Sequence, residues 1–180
     1  MAKLVSRVYG EGLFEAALEQ DKLDRIYQEV QEVVSLLKQN ESLQKLLNHP
    51  QISREEKKKM IESIFLDRVS KEIVGFLILI VQKGRAGEMI KSLDYFVDKV
   101  KEYKKIGVAY VASAMELSEE QKDAIRLKLL ETTRYILFEI HYMTDPSLMG
   151  GLVIRIGDRV IDSSIKHKLN HMSRKLQSLQ

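Results

Sequence analysis

Asp145-Pro-Ser-Leu-Met-Gly-Gly-Leu-Val-Ile-Arg-Ile-Gly-Asp-Arg-Val-Ile-Asp-Ser-Ser-Ile165 spells a turn, a strand, a tight hairpin and a helix start in one uninterrupted run. Pro146 has a fixed φ and pushes Asp145 out of the helical region, so the chain turns there. Gly150-Gly151 then admits the backbone into a strand at close quarters. Leu152, Ile154 and Ile156 alternate with Val153 and Arg155, and Gly157-Asp158 is a two-residue link that closes a hairpin onto Arg159-Val160-Ile161. Asp162, Ser163 and Ser164 offer side-chain oxygens to cap a helix beginning near Ile165. Asp145, Gly150, Gly151, Gly157, Asp158 and Asp162 therefore read as structural positions of turns and caps, not as catalytic groups.

Upstream, the grammar is helical as far as Lys105. Val5, Val8, Tyr9, Gly12, Leu13, Ala16 and Ala17 predict one apolar stripe, and Leu23, Ile26, Tyr27, Val30, Val33, Val34 and Leu37 a second. A short third helix is expected around Leu43, Leu46 and Leu47. Ser53 with Glu55-Glu56 opens a fourth that carries Met60, Ile61, Ile64 and Phe65. The run Ile73–Val81 makes a fifth, ended by Gly84, and Ile90, Leu93, Val97 and Val100 a sixth. Six amphipathic helices joined by short links predict a bundle over residues 1–105.

At Ile106-Gly107 the pattern changes. Val108–Met115 is β-rich, Ser118-Glu-Glu-Gln121 is a capping box opening a helix, and Phe138, Ile140 and Tyr142 alternate with polar residues as a half-buried strand. With the hairpin and a final helix carrying Ile165, Leu169, Met172 and Leu176, residues 106–180 read as a small α+β domain with a mixed sheet.

The chain has 180 residues, 44% of them apolar and 31% charged, as expected of an ordinary globular protein. It contains no cysteine, which removes disulfides, thiolate nucleophiles and Cys-based zinc sites. The longest apolar run falls far short of the ~20 residues that span a bilayer, and the N-terminus lacks a secretory pattern, so membrane association is expected only through a partner. With 29 basic and 26 acidic residues the net charge is only +3, and a nucleic-acid surface would require clustering. One cluster exists: Lys166, Lys168, Arg174 and Lys175 lie in a stretch from Ser163 to Gln180 that has no acid.

Catalytic patterns are missing from this sequence. His167 and His171 stand at metal-chelating i, i+4 spacing with no third ligand nearby. Gly150-Gly151 leads into a strand, whereas phosphate cradles lead into a helix N-terminus. No serine sits in a Gly-x-Ser-x-Gly elbow.

The opening run resembles, nearly residue for residue, the C-terminal signature of the delta subunit family of bacterial F-type ATP synthases, whose mitochondrial relative is the oligomycin-sensitivity-conferring subunit. The family usually has Gly where this chain has Ser163. Arg7-Val-Tyr-Gly-Glu-Gly-Leu-Phe14 resembles the family's opening motif, with Gly at both of its usual Ala positions, so this helix is expected to be softer by about 0.5–1 kcal/mol per Gly while admitting a close neighbour. Phe76–Arg85 and Val111–Ser118 are similar to two further landmarks, in the family's order.

The resemblance implies a non-catalytic stator subunit without cofactor or metal, peripheral to the cytoplasmic face of the cell membrane, that couples proton transport to ATP synthesis. It implies that residues 1–105 receive the N-terminal helix of an alpha subunit and that residues 106–180 grip the peripheral-stalk b subunits. The family's groove between first and fifth helices carries over to Tyr9, Leu13, Phe14, Leu77 and Ile80. Lys166, Lys168, Arg174 and Lys175 are the expected stalk contact. The alternative reading is an RNA-binding adaptor, which steep salt dependence of binding would reveal; the strands offer no aromatic-rich platform for single-stranded RNA.

Overall fold

The computed structural model describes residues 2–169. The chain forms two compact units, Met1–Val100 and Lys101–Gln180.

Unit 1 is the helical bundle that the periodicity predicts. Its helices are α1 (Ala2–Glu19), α2 (Leu23–Gln39), α3 (Glu41–Asn48), α4 (Arg54–Phe65), α5 (Lys71–Gln82) and α6 (Met89–Tyr103), the last preceded by a 3-10 turn at Ala86–Glu88. The apolar positions of α2 are buried in register, with Ile26, Val30, Val33, Val34 and Leu37 all inside. Ser53 caps α4 through a reciprocal pair: its hydroxyl accepts from the Glu56 N–H, and the Glu56 carboxylate accepts from the Ser53 N–H. Gly84, at φ +68, ends α5 with Gly84 N–H on the Val81 carbonyl and Arg85 N–H on the Ile80 carbonyl.

Two expectations are corrected here. Val8 and Gly12 lie outside, and the buried stripe of α1 runs through Ser6, Gly10, Leu13, Phe14 and Ala17. Small residues cause the rotation. Ser6 and Gly10 carry no hydrophobic signal, yet both are buried, and Gly10 lets α1 approach α6 so closely that a Cβ on it would stand 2.7 Å from the Ser92 carbonyl oxygen. In α3, Leu46 is exposed and Leu47 alone is fully buried, because eight residues make only two turns and offer little more than one inward face.

A side-chain clamp joins α2 to the start of α5. The Glu29 carboxylate accepts from the Ser70 N–H at 2.7 Å and from the Arg25 guanidinium at 2.8 Å, so a residue 41 positions away caps α5. Lys22 Nζ adds a contact of 2.6 Å to Glu72 in the first turn of α5. Burial pushes the Glu29 carboxyl up, but hydrogen bonds from Ser70 and the Arg25 charge outweigh it and hold it below the usual range. A depressed carboxylate stabilises the fold above its unfolded value near 4.5, and that contribution is lost as pH falls through the folded value. Glu29→Gln is accordingly expected to cost unit 1 about 1–2 kcal/mol at pH 7 and to flatten the acid limb of its stability profile. Urea unfolding between pH 3 and 7 checks this, and an unchanged acid limb refutes it.

Unit 2 holds β1 (Ile106–Ser113), α7 (Glu119–Thr132), β2 (Leu137–Thr144), a 3-10 turn (Pro146–Leu148), β3 (Leu152–Ile156) and β4 (Arg159–Asp162). Residues 165–169 are helical. The sheet order is β2-β1-β3-β4. β1 and β2 run parallel, bridged by α7 as a crossover, while β1–β3 and β3–β4 are antiparallel. One sheet face packs Ala109, Phe138, Ile140, Ile154 and Ile156 against Ile125, Leu129 and Leu130 of α7. Ser118 and Gln121 form the expected capping box. β1 stops before Met115, because Ser113 turns its hydroxyl onto the Met115 carbonyl at 2.6 Å and its own carbonyl accepts from Asp145 N–H.

Candidate functional site

The surface of unit 1 divides the residues that resemblance suggests for partner contact. Leu13 is 5% exposed, Phe14 7%, and Leu77 and Ile80 0%; all four belong to the unit's own core. Tyr9 is half-buried against that core. All four side chains are thus packed inside the unit and not displayed on its surface. An apolar side chain in a helical stripe is claimed first by its own bundle.

α1 and α5 turn other apolar residues outward. Leu4 is 67% and Val8 61% exposed, four residues apart on one face of α1, and Gly12 continues that face. On α5, Leu79 is 42% exposed, and Gly75 stands four positions before it. A Cβ at Gly12 or Gly75 would meet nothing within 4 Å. Both helices thus expose a Leu or Val beside an open glycine, a surface that another backbone can approach closely. Periodicity misses Leu4, because a residue four before Val8 falls on the stripe expected to be buried.

In unit 2 the hairpin signature is a scaffold of local bonds. Asp145 accepts from the Ser147 N–H at 3.0 Å, and Asp162 from the Ser164 N–H at 2.9 Å. Hydrogen bonds from the hydroxyl and N–H of Ser147 and of Ser164 hold the respective carboxyls below the usual range. Ser164 Oγ in turn accepts from His167 N–H, capping the turn at 165–169. Gly157 at φ +55 and Asp158 form the two-residue link between β3 and β4. Gly151, at φ +78, lies so close to the returning chain that a Cβ would stand 2.5 Å from the Ser163 carbonyl oxygen. Gly150 faces Ile165 in the same way, with Ile165 Cδ1 at 2.6 Å from such a Cβ.

Lys166 and Lys168 are exposed, while Arg174 and Lys175 lie outside the described residues. His167 Nδ1 is 3.6 Å from the Asp162 carboxylate, and His171 lies outside the described residues. Among the described residues no three His, Cys, Asp or Glu gather as a metal site, and no helix is long and apolar enough to cross a membrane.

One apolar groove, of about 440 Å³, opens at the end of this sheet. Met115, Leu117, Ala124 and Ile125 form one side and Met149 to Leu152 the other. Met115 and Met149 are both exposed, and Met149 holds φ +63, unusual for a residue with a side chain.

The sequence model of the family described as ATP synthase delta (OSCP) subunit matches residues 5–176. An ATP synthase subunit delta of Lachnoclostridium phytofermentans is 53% identical over 100% of this chain and 99% of its own length. Another, of Halothermothrix orenii, is 36% identical over 97% and 91%. In structure, one chain of the Toxoplasma gondii mitochondrial ATP synthase hexamer superposes with a TM-score of 0.75 at 16% identity, covering 96% of this chain and 97% of that one, which shows the shared fold. A helical bundle followed by a mixed-sheet unit, the hairpin signature and full-length matches to bacterial delta subunits converge: the chain belongs to the ATP synthase delta (OSCP) subunit family, as a non-catalytic stator subunit of an F-type ATP synthase.

Proposed function

We propose that this chain ties the catalytic hexamer of an F-type ATP synthase to its peripheral stalk, on the cytoplasmic face of the cell membrane, and thereby couples proton transport to ATP synthesis. Unit 1 takes the N-terminal helix of an alpha subunit on the outward faces of α1 and α5. Unit 2 grips the stalk b subunits, with Lys166, Lys168, Arg174 and Lys175 at that contact. The observation that carries this reading is the pair of exposed apolar faces, Leu4 and Val8 on α1 and Leu79 on α5, in a unit whose other large side chains are mostly gathered into a closed core. An amphipathic helix reads such faces with anchors at helical spacing, and the open glycines allow close approach. Two contacts on one chain also resist slippage under torque, because the second binding event becomes intramolecular.

The test is calorimetric titration of the full chain with a peptide of the alpha-subunit N-terminus. Val8→Glu and Leu79→Glu, both at exposed positions, are each expected to weaken binding about 10-fold without altering the melting of unit 1. Equal affinity for wild type and both variants would overturn the assignment of these faces.

A further inference from the structure

We propose that a polar pocket of unit 2, where α7 leads into β2 and β3 turns into β4, binds an organic phosphate of mononucleotide size. Arg134 and Arg159 take the phosphate, and Tyr135 and Ile156 lie against the base. The site needs no other subunit, so it goes beyond the stator role and does not depend on where unit 2 docks. Its walls are residues 132–135 and 156–159, around a cavity of about 750 Å³. Both walls are anchored. The Thr132 and Thr133 hydroxyls donate to the Lys128 and Leu129 carbonyls at 2.7 Å, and Ile136 N–H donates to the Lys105 carbonyl at 2.8 Å. Across the pocket, Arg155 Nε donates to the Gly157 carbonyl at 3.3 Å within the hairpin link. The two threonine bonds also occupy carbonyls in the last turn of α7, the helix end that would otherwise repel an anion.

The arginines carry the argument. Among the described residues neither Arg134 nor Arg159 makes an ion pair or a side-chain hydrogen bond, whereas Arg7, Arg25 and Arg126 each hold a carboxylate. Two guanidiniums with unspent forks in one pocket suit a phosphate, whose oxygens accept a bidentate contact from each. A lone phosphate leaves most of the cavity empty, and its volume falls within the range of about 300–1,000 Å³ usual for small-molecule sites. The remaining lining fits an ester's organic part. Tyr135 is exposed, and its ring is held edge-on by Phe138 with centroids 5.3 Å apart, which leaves a fixed aromatic surface for a base. Asp158 accepts from sugar hydroxyls and repels a second anionic group, so a monophosphate ester is favoured over a chain of phosphates.

The experiment titrates the full chain, by calorimetry at fixed ionic strength, with AMP, ribose 5-phosphate and inorganic phosphate. AMP is expected to bind at one site per chain and to raise the melting of unit 2 but not of unit 1. Arg134→Gln and Arg159→Gln, both at exposed positions, are each expected to weaken AMP binding at least ~10-fold with the ligand-free melting unchanged. Tyr135→Leu is expected to weaken AMP about 5-fold or more and to leave ribose 5-phosphate as in wild type. Arg126→Gln removes the same charge from an arginine outside the pocket, paired with Asp123, and is expected to leave binding unchanged. The site is overturned if AMP does not saturate the wild-type chain, or if Arg134→Gln and Arg159→Gln bind it as wild type does. Equal weakening by Arg126→Gln overturns it too, because the attraction is then diffuse. Inorganic phosphate binding as tightly as AMP overturns the assignment of an organic ligand.

Discussion

Gly151→Ala is expected to destabilise unit 2 by about 3–5 kcal/mol, enough to unfold most of it at moderate temperature, while the unfolding of unit 1 stays at its wild-type position. Two costs add at one atom. Gly151 holds φ +78, where a Cβ is strained, and that Cβ would stand 2.5 Å from the Ser163 carbonyl oxygen and 3.0 Å from the Ser164 Cα. Both obstacles are backbone, so no rotamer change relieves them. The chain cannot retreat cheaply either, since Ser163 N–H donates to the Leu152 carbonyl and Ile165 N–H to the Gly150 carbonyl. Gly157→Ala is the control: φ is +55 there but nothing lies within 4 Å of the added Cβ, so about 1 kcal/mol of backbone strain is expected and no more. Urea unfolding followed by far-UV circular dichroism separates the two, and a Gly151→Ala loss no larger than that of Gly157→Ala would contradict the described packing.

The second large effect sets two glycines of α1 against each other. Gly10→Ala is expected to lose about 2–3 kcal/mol net in unit 1, whereas Gly12→Ala is expected to gain about 0.5–1 kcal/mol. Both substitutions improve helix propensity equally. They differ in what the methyl meets: at Gly10 it reaches Tyr95 Cδ1 at 2.6 Å and the Ser92 carbonyl oxygen at 2.7 Å, and at Gly12 it reaches nothing within 4 Å. Tyr95 has a rotamer to give, but the Ser92 carbonyl belongs to α6, so α1 must move off its neighbour. Thermal melts of the two single variants are sufficient, and shifts of the same sign would refute the difference in environment.

Legibility in the sequence followed the range of the interaction. The capping boxes at Ser53 and Ser118, the hairpin at Gly157-Asp158 and the caps at Asp145 and Asp162 all join groups at most four residues apart, and each appears where its residue types stand. The stripe of α2 was equally plain, because Ile, Val and Leu announce a buried face. The stripe of α1 was not. Its inward face depends on Ser6 and Gly10, whose burial follows from α6 lying close by, and hydrophobic periodicity therefore put Val8 and Gly12 on the wrong side. The Glu29 cap on α5 was invisible for the same reason, being made across 41 positions of chain.

The exposed apolar surfaces show this division most clearly. Family resemblance pointed to α1 and α5, and apolar identity within them pointed to Leu13, Phe14, Leu77 and Ile80, but packing consumes those four and leaves Leu4, Val8 and Leu79 outside. The amino-acid order by itself determined the helices, the strands, the hairpin and the family, because backbone preference, capping and periodicity act over a few residues. Tertiary structure alone decided which apolar residues remain available to another chain and where the Met115–Met149 groove opens. Exposure is a property of the surface left after every helix and strand has chosen its neighbours, and that choice is summed over the whole unit.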